Sequence, residues 1–102
     1  MTMLHTVNKS PFEKNSIHTC LRLAKKGSDV LLIEDAVYAA LQDSEIESVI
    51  KQASTEHSLY VLEPDLMARG LDRDRLVEGI QIVGYDGFVD LAVNNDKVQS
   101  WL

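Results

Sequence analysis

One hundred and two residues make one domain, long enough for a working core and too short for a second substrate-binding domain, so a catalytic cleft between domains is excluded. The chain is 45% hydrophobic and 25% charged, the balance of an ordinary globular domain and not of a disordered one. Ten basic residues against sixteen acidic ones leave a net charge of -6, which removes counterion release as a binding force and argues against direct contact with DNA or RNA.

The longest apolar runs, such as Val30-Leu31-Leu32-Ile33, fall far short of the roughly 20 residues that cross a bilayer. No basic segment precedes a cleavable apolar stretch, so a cytoplasmic protein without membrane association is expected. The single cysteine, Cys20, rules out an internal disulfide and fits a reducing compartment.

In chain order, Met3-Leu4-His5-Thr6-Val7 has the alternation and β-branching of a strand. Asn8-Lys9-Ser10-Pro11 supplies turn formers, and Pro11 keeps Ser10 out of helical geometry. A helix is predicted over Asn15–Ala24, capped by Asn15 or Ser16 and ended by Gly27. Ile17, Leu21 and Ala24 share one face of it, and Cys20 lies at that face's edge. Cys20 therefore has two readings: a small buried hydrophobe, or a rim thiol whose thiolate the helix dipole stabilises. Val30–Ile33 is apolar on both faces, as a strand in the middle of a doubly covered sheet must be.

A short helix is expected over Ala36–Leu41, and another over Glu45–Ala53 with Ile46, Val49, Ile50 and Ala53 on its buried stripe. Ser58–Leu62 is the third strand. Glu63-Pro64-Asp65 opens a helix, with Pro64 at its first position and acid in its first turn, and Gly70 stops it. Leu71–Val77 adds a further helical turn, and Ile80–Val83 is the fourth strand. A turn at Gly84–Gly87 leads to a short helix with Phe88, Leu91 and Ala92 on its apolar edge, and Val98–Leu102 closes the sheet as an edge strand. Strands joined through helices are parallel with right-handed crossovers, so the fold class is α/β: a small three-layer domain, residues 1–102, with a mainly parallel sheet of about five strands flanked by helices.

Ligand sites in such sheets gather beyond the carboxyl ends of the strands, here near Asn8–Ser10, Glu34-Asp35, Glu63–Asp65 and Tyr85-Asp86. This ring is acidic and lacks both Gly-x-Gly-x-x-Gly and Gly-Lys-Ser/Thr, so nucleotide phosphates have no cradle. Glu34, Asp35, Glu63 and Asp65 can serve as a carboxylate pair or hard-metal site, but acids at helix starts are accounted for by capping and the dipole. His5, His18 and His57 sit on separate elements with no chelating spacing, which argues against zinc. His18 and Cys20 are two apart and point in different directions, so His18 is not a local activating base. Trp101 is either a wedge closing the core or an anchor at a subunit interface. No cofactor and no metal site is expected.

Taken together, Leu4-His5-Thr6-Val7-Asn8-Lys9-Ser10-Pro11, Leu31-Leu32-Ile33-Glu34-Asp35-Ala36-Val37, Tyr60-Val61-Leu62 with Asp65-Leu66-Met67-Ala68-Arg69-Gly70, and Tyr85-Asp86-Gly87-Phe88-Val89-Asp90-Leu91 running on to Ser100-Trp101 resemble the DsrH/TusB family. The resemblance covers nearly the whole chain and implies the DsrE/DsrF/DsrH-like fold. It implies a subunit of a cytoplasmic sulfur relay, assembled from two copies each of three related chains, in which sulfur travels as a cysteine persulfide. The implied partners are DsrE-like and DsrF-like subunits and a downstream acceptor of the DsrC/TusE type. The established carrier cysteine of that family belongs to the DsrE/TusD-like chain. Val7–Phe12, the cysteine in the first helix and Tyr38–Leu41 resemble the sulfur-oxidation branch (DsrH) more than the tRNA-thiolation branch (TusB). Persulfide relay needs one exposed low-pKa thiol and no metal or nucleotide. The expectation is accordingly a partly exposed Cys20 acting as an auxiliary sulfur acceptor, with a purely structural, non-catalytic subunit as the alternative.

Overall fold

The computed structural model describes residues 2–102 and places five parallel strands in the order β4-β3-β2-β1-β5. The strands are β1 (Met3–Val7), β2 (Asp29–Leu32), β3 (Ser58–Leu62), β4 (Gln81–Val83) and β5 (Lys97–Trp101). The helices are α1 (Ser16–Leu23), α2 (Glu47–Ser54), α3 (Glu63–Ala68) and α4 (Tyr85–Asn94), with 3-10 segments at Glu34–Ala40 and Arg73–Arg75. The doubly apolar strand is the central one, β2, and the chain's last strand lies at the sheet edge beside β1. No helix among the described residues is long and apolar enough to cross a membrane.

Alternation along the strands sends side chains to two cores. Val7, Val30, Leu32, Leu59 and Val61 face the larger one, where α1, α2 and the Glu34–Ala40 segment contribute Ile17, Cys20, Ile50, Ala53, Val37 and Ala40. Leu4, Leu31 and Leu62 face the other side, where α4 supplies Leu91 with Phe88 and Ala92 beside it. Each fully buried Leu, Ile or Val contributes about 1.5–3 kcal/mol of transfer free energy, so the larger cluster carries most of the stability.

Local signals explain most element ends. Gly70, at φ +65°, ends α3 in the left-handed region that favours glycine; its N–H donates to the Met67 carbonyl and the Leu71 N–H to the Leu66 carbonyl, satisfying two otherwise unpaired acceptors. Four expectations need correction. Asn15 precedes α1 without a side-chain capping bond, and Ser16 Oγ instead donates to the Leu102 carbonyl, tying the helix start to the chain's end. Val49 is 36% exposed, off the buried stripe of α2. The Leu71–Val77 stretch forms only one 3-10 turn, because Val77 N–H donates to the Ala40 carbonyl and Gln42 N–H to that of Arg75, drawing its end into an extended pairing.

The fourth concerns Gly84–Gly87, which is not a free turn: α4 already begins at Tyr85. Gly87 lies inside that helix because a Cβ there would stand 2.7 Å from Val83 Cβ, so its missing side chain is what lets α4 seat on β4. Gly87→Ala gains up to about 1 kcal/mol of helix propensity but forces overpacking that costs about 1–3 kcal/mol. Urea unfolding should therefore give a less stable variant; an increase in stability would contradict this packing.

Candidate functional site

Cys20 is brought by α1 into the larger core together with Ile17 and is 0% exposed. The expectation of a partly exposed thiol is therefore corrected. The face holding Ile17 and Leu21 packs flat enough on the sheet to take the cysteine with it, and burial pushes its pKa up to about 12. The helix dipole, about 0.3–1 kcal/mol at a surface site, is too small to offset that desolvation. In this chain as folded, the Cys20 thiol has no exposed surface.

Three carboxylates at the strand ends, those of Asp35, Glu63 and Asp65, are committed to structure. Asp65 Oδ2 accepts the Glu34 N–H at 2.7 Å, so an acid following β3 caps the segment following β2. That contact holds Glu34 at φ +50°, a left-handed conformation that costs a non-glycine residue about 1–2 kcal/mol. Arg69 bridges Asp35 at 2.9 Å and Asp65 at 3.9 Å, and Arg73 pairs with Glu63 at 3.0 Å. Asp35, Glu63 and Asp65 thus each have a side-chain partner, whereas Glu34 is held through its backbone N–H. No group of three or more His, Cys, Asp or Glu among the described residues is placed to hold a metal ion.

The histidines separate as their elements require. His18 lies on the exposed side of α1, whereas His5 and His57 are buried. His5 Nδ1 accepts the Trp101 Nε1–H at 3.0 Å, a pairing between the first and last strands that no short-range pattern in the sequence marks. Burial, and secondarily the neighbouring His57, lowers the pKa of His5 and keeps it the neutral acceptor this bond needs. Trp101, partly buried, packs its ring against the larger core, the wedge role of its two readings.

The described residues thus offer a closed core, paired acids and a sealed thiol. Against known proteins, residues 9–98 match the family described as DsrH like protein. The chain is 42% identical over 100 residues to a protein named TusB from Erwinia tasmaniensis, covering 97% of this chain and 100% of that one. It is 36% identical over 99 residues to a protein named TusB from Yersinia pestis, with 97% and 100% coverage. Among solved structures, the ychN protein from E. coli superposes with a TM-score of 0.88 over 99% of both chains at 19% identity. A protein of unknown function from Methanobacterium thermoautotrophicum gives 0.68 over 96% of both at 18% identity. The structural likenesses establish the shared fold.

Two measurements check this geometry. Native protein should leave Cys20 unmodified by an aromatic disulfide reagent at pH 8 and release one equivalent of thiol only on unfolding. Since its native pKa is raised, Cys20 favours the fold below the unfolded value of about 8.5, and that stabilisation is lost as pH rises toward about 12. Cys20→Ala should flatten this alkaline decline; rapid native labelling would contradict the burial. Trp101→Phe should lose about 1–2 kcal/mol by leaving a buried acceptor unpaired. Because the His5 pKa is lowered, its contribution is complete above about pH 6.5 and falls as pH drops through the native value. A Trp101→Phe variant with wild-type stability at pH 7 would show that the bond contributes nothing.

Proposed function

The chain belongs to the DsrH/TusB family, and from that premise we propose that it is a structural subunit of a cytoplasmic sulfur relay serving tRNA 2-thiouridine formation. The observation that carries the reading is the whole-length relationship to proteins named TusB, which favours the tRNA-thiolation branch over the sulfur-oxidation branch expected from the sequence. The family resemblance supplies the assembly: two copies each of this chain, a DsrE/TusD-like chain and a DsrF/TusC-like chain, delivering sulfur to an acceptor of the DsrC/TusE type.

Within that assembly Cys20 is a packing residue. A relay step requires a thiolate to attack the outer sulfur of a donor persulfide, taking that sulfur and releasing the donor thiolate. A thiol with a pKa pushed to about 12 and no exposed surface supports neither attack nor access, so the carrier thiol is assigned to a partner. The subunit's contribution is to position that partner, and its shape and surfaces are what the relay uses. Sulfur oxidation is the second reading, favoured by the likeness of Val7–Phe12 and Tyr38–Leu41 to DsrH.

Co-production with the TusC-like and TusD-like chains of the same organism should yield one hetero-oligomer by size exclusion and native mass. Incubated with a persulfide donor, the TusD-like chain should gain one sulfur while this chain stays unmodified, and Cys20→Ala should transfer at the wild-type rate. Deleting the gene should remove 2-thiouridine from tRNA nucleosides. Intact 2-thiouridine with lost sulfur oxidation would move the protein to the second reading, and a Cys20 persulfide would overturn the structural role.

A further inference from the structure

Helix α4 is apolar on two faces. Phe88, Leu91 and Ala92 point into the smaller core, while Tyr85, Val89 and Val93, spaced by four residues, form an outward stripe exposed at 63%, 59% and 76%. A helix that covers a sheet at a solvent surface carries polar residues on its outer side, and three aligned large apolar side chains there mark an interaction surface. Val98 on β5 extends the apolar surface on this side of the sheet: its register partner Leu4 faces the α4 core, and Val98 itself is 50% exposed. Among the described residues no other helix contributes to this core.

Charge identifies the occupant. Asp86 and Asp90 are exposed beside the stripe, and the helix has no Lys or Arg to answer them. Two copies of α4 packed together would bring four carboxylates into one interface with no base between them, an arrangement that like-charge repulsion disfavours. We infer that the Tyr85–Val89–Val93 face of α4 docks a different protein subunit, one presenting an apolar groove with Lys or Arg on its rim. The apolar stripe supplies affinity by desolvation, and the two aspartates orient the partner and accelerate its approach. The inference rests on the relay-subunit reading for the identity of that subunit, a TusC-like or TusD-like chain.

The test uses the complete chain co-produced with those two chains. Val89→Lys with Val93→Lys places two charges in the apolar stripe and should weaken assembly by at least about 30-fold. Asp86→Lys with Asp90→Lys leaves the stripe intact and should weaken assembly about tenfold, through a slower and less salt-sensitive association rate. Met67→Lys, on α3 and 71% exposed, should assemble as wild type. All five substituted positions are on the surface, so unchanged thermal unfolding of each isolated variant separates lost docking from lost fold. Wild type that assembles together with α4 variants that assemble equally well would overturn the α4 surface and leave the relay reading standing. A homodimer abolished by the α4 changes would overturn the choice of occupant. Wild type that ignores both chains would overturn the relay reading and this inference together.

Discussion

The burial of β2 on both faces is the constraint from which the rest of the structure follows. Val30 and Leu32 need a cover on one side and Leu31 on the other, so the sheet cannot be stable with helices on one face only. The chain meets this demand unequally. One face receives α1, α2, α3 and the Glu34–Ala40 segment; among the described residues the only helix on the other is α4. The crowded face is dry enough to seal a thiol. The sparsely covered face leaves a helix with apolar residues still turned to solvent.

That asymmetry separates two functions a small relay protein could have combined. A reactive cysteine needs partial exposure and a nearby positive charge or dipole, and dense packing around Cys20 removes the first requirement. A docking surface needs apolar area outside the core, and α4 retains it because its inner face already satisfies the sheet. Asp35, Glu63 and Asp65 at the strand ends, where α/β proteins commonly bind ligands, are meanwhile taken up by Arg69, Arg73 and the Glu34 backbone. The proposed function accordingly gives the chemistry to a partner and the positioning to this chain.

Much of the fold was legible from short-range signals. Period-two alternation located β1, the doubly apolar run located the central strand, and Pro64 with Gly70 bracketed α3. What was not legible depended on contacts between distant segments. Cys20 stood at the edge of an apolar stripe, and only the closeness of α1 to the sheet decided that the edge was buried. Gly84–Gly87 looked like a turn because two glycines usually mark one, yet Gly87 is there to admit Val83. Asp65 resembled a cap of its own helix but serves a neighbouring element, and the His5–Trp101 bond joins residues at opposite ends of the chain. The outward stripe Tyr85, Val89, Val93 was present in the sequence at perfect helical spacing, hidden because the inner edge of the same helix claimed the apolar signal.

On the proposed reading the chain works through a surface on α4 and not through its thiol. Hydrogen exchange, compared between the isolated chain and the assembled complex, tests it directly because both regions are read in one experiment. The account predicts slower exchange on assembly in Tyr85–Asn94, with the amides around Cys20 in Ser16–Leu23 protected to the same degree in both states. Unchanged exchange in α4 together with loosening of α1 in the complex would contradict it, since assembly would then be opening the core around Cys20 instead of covering the helix opposite.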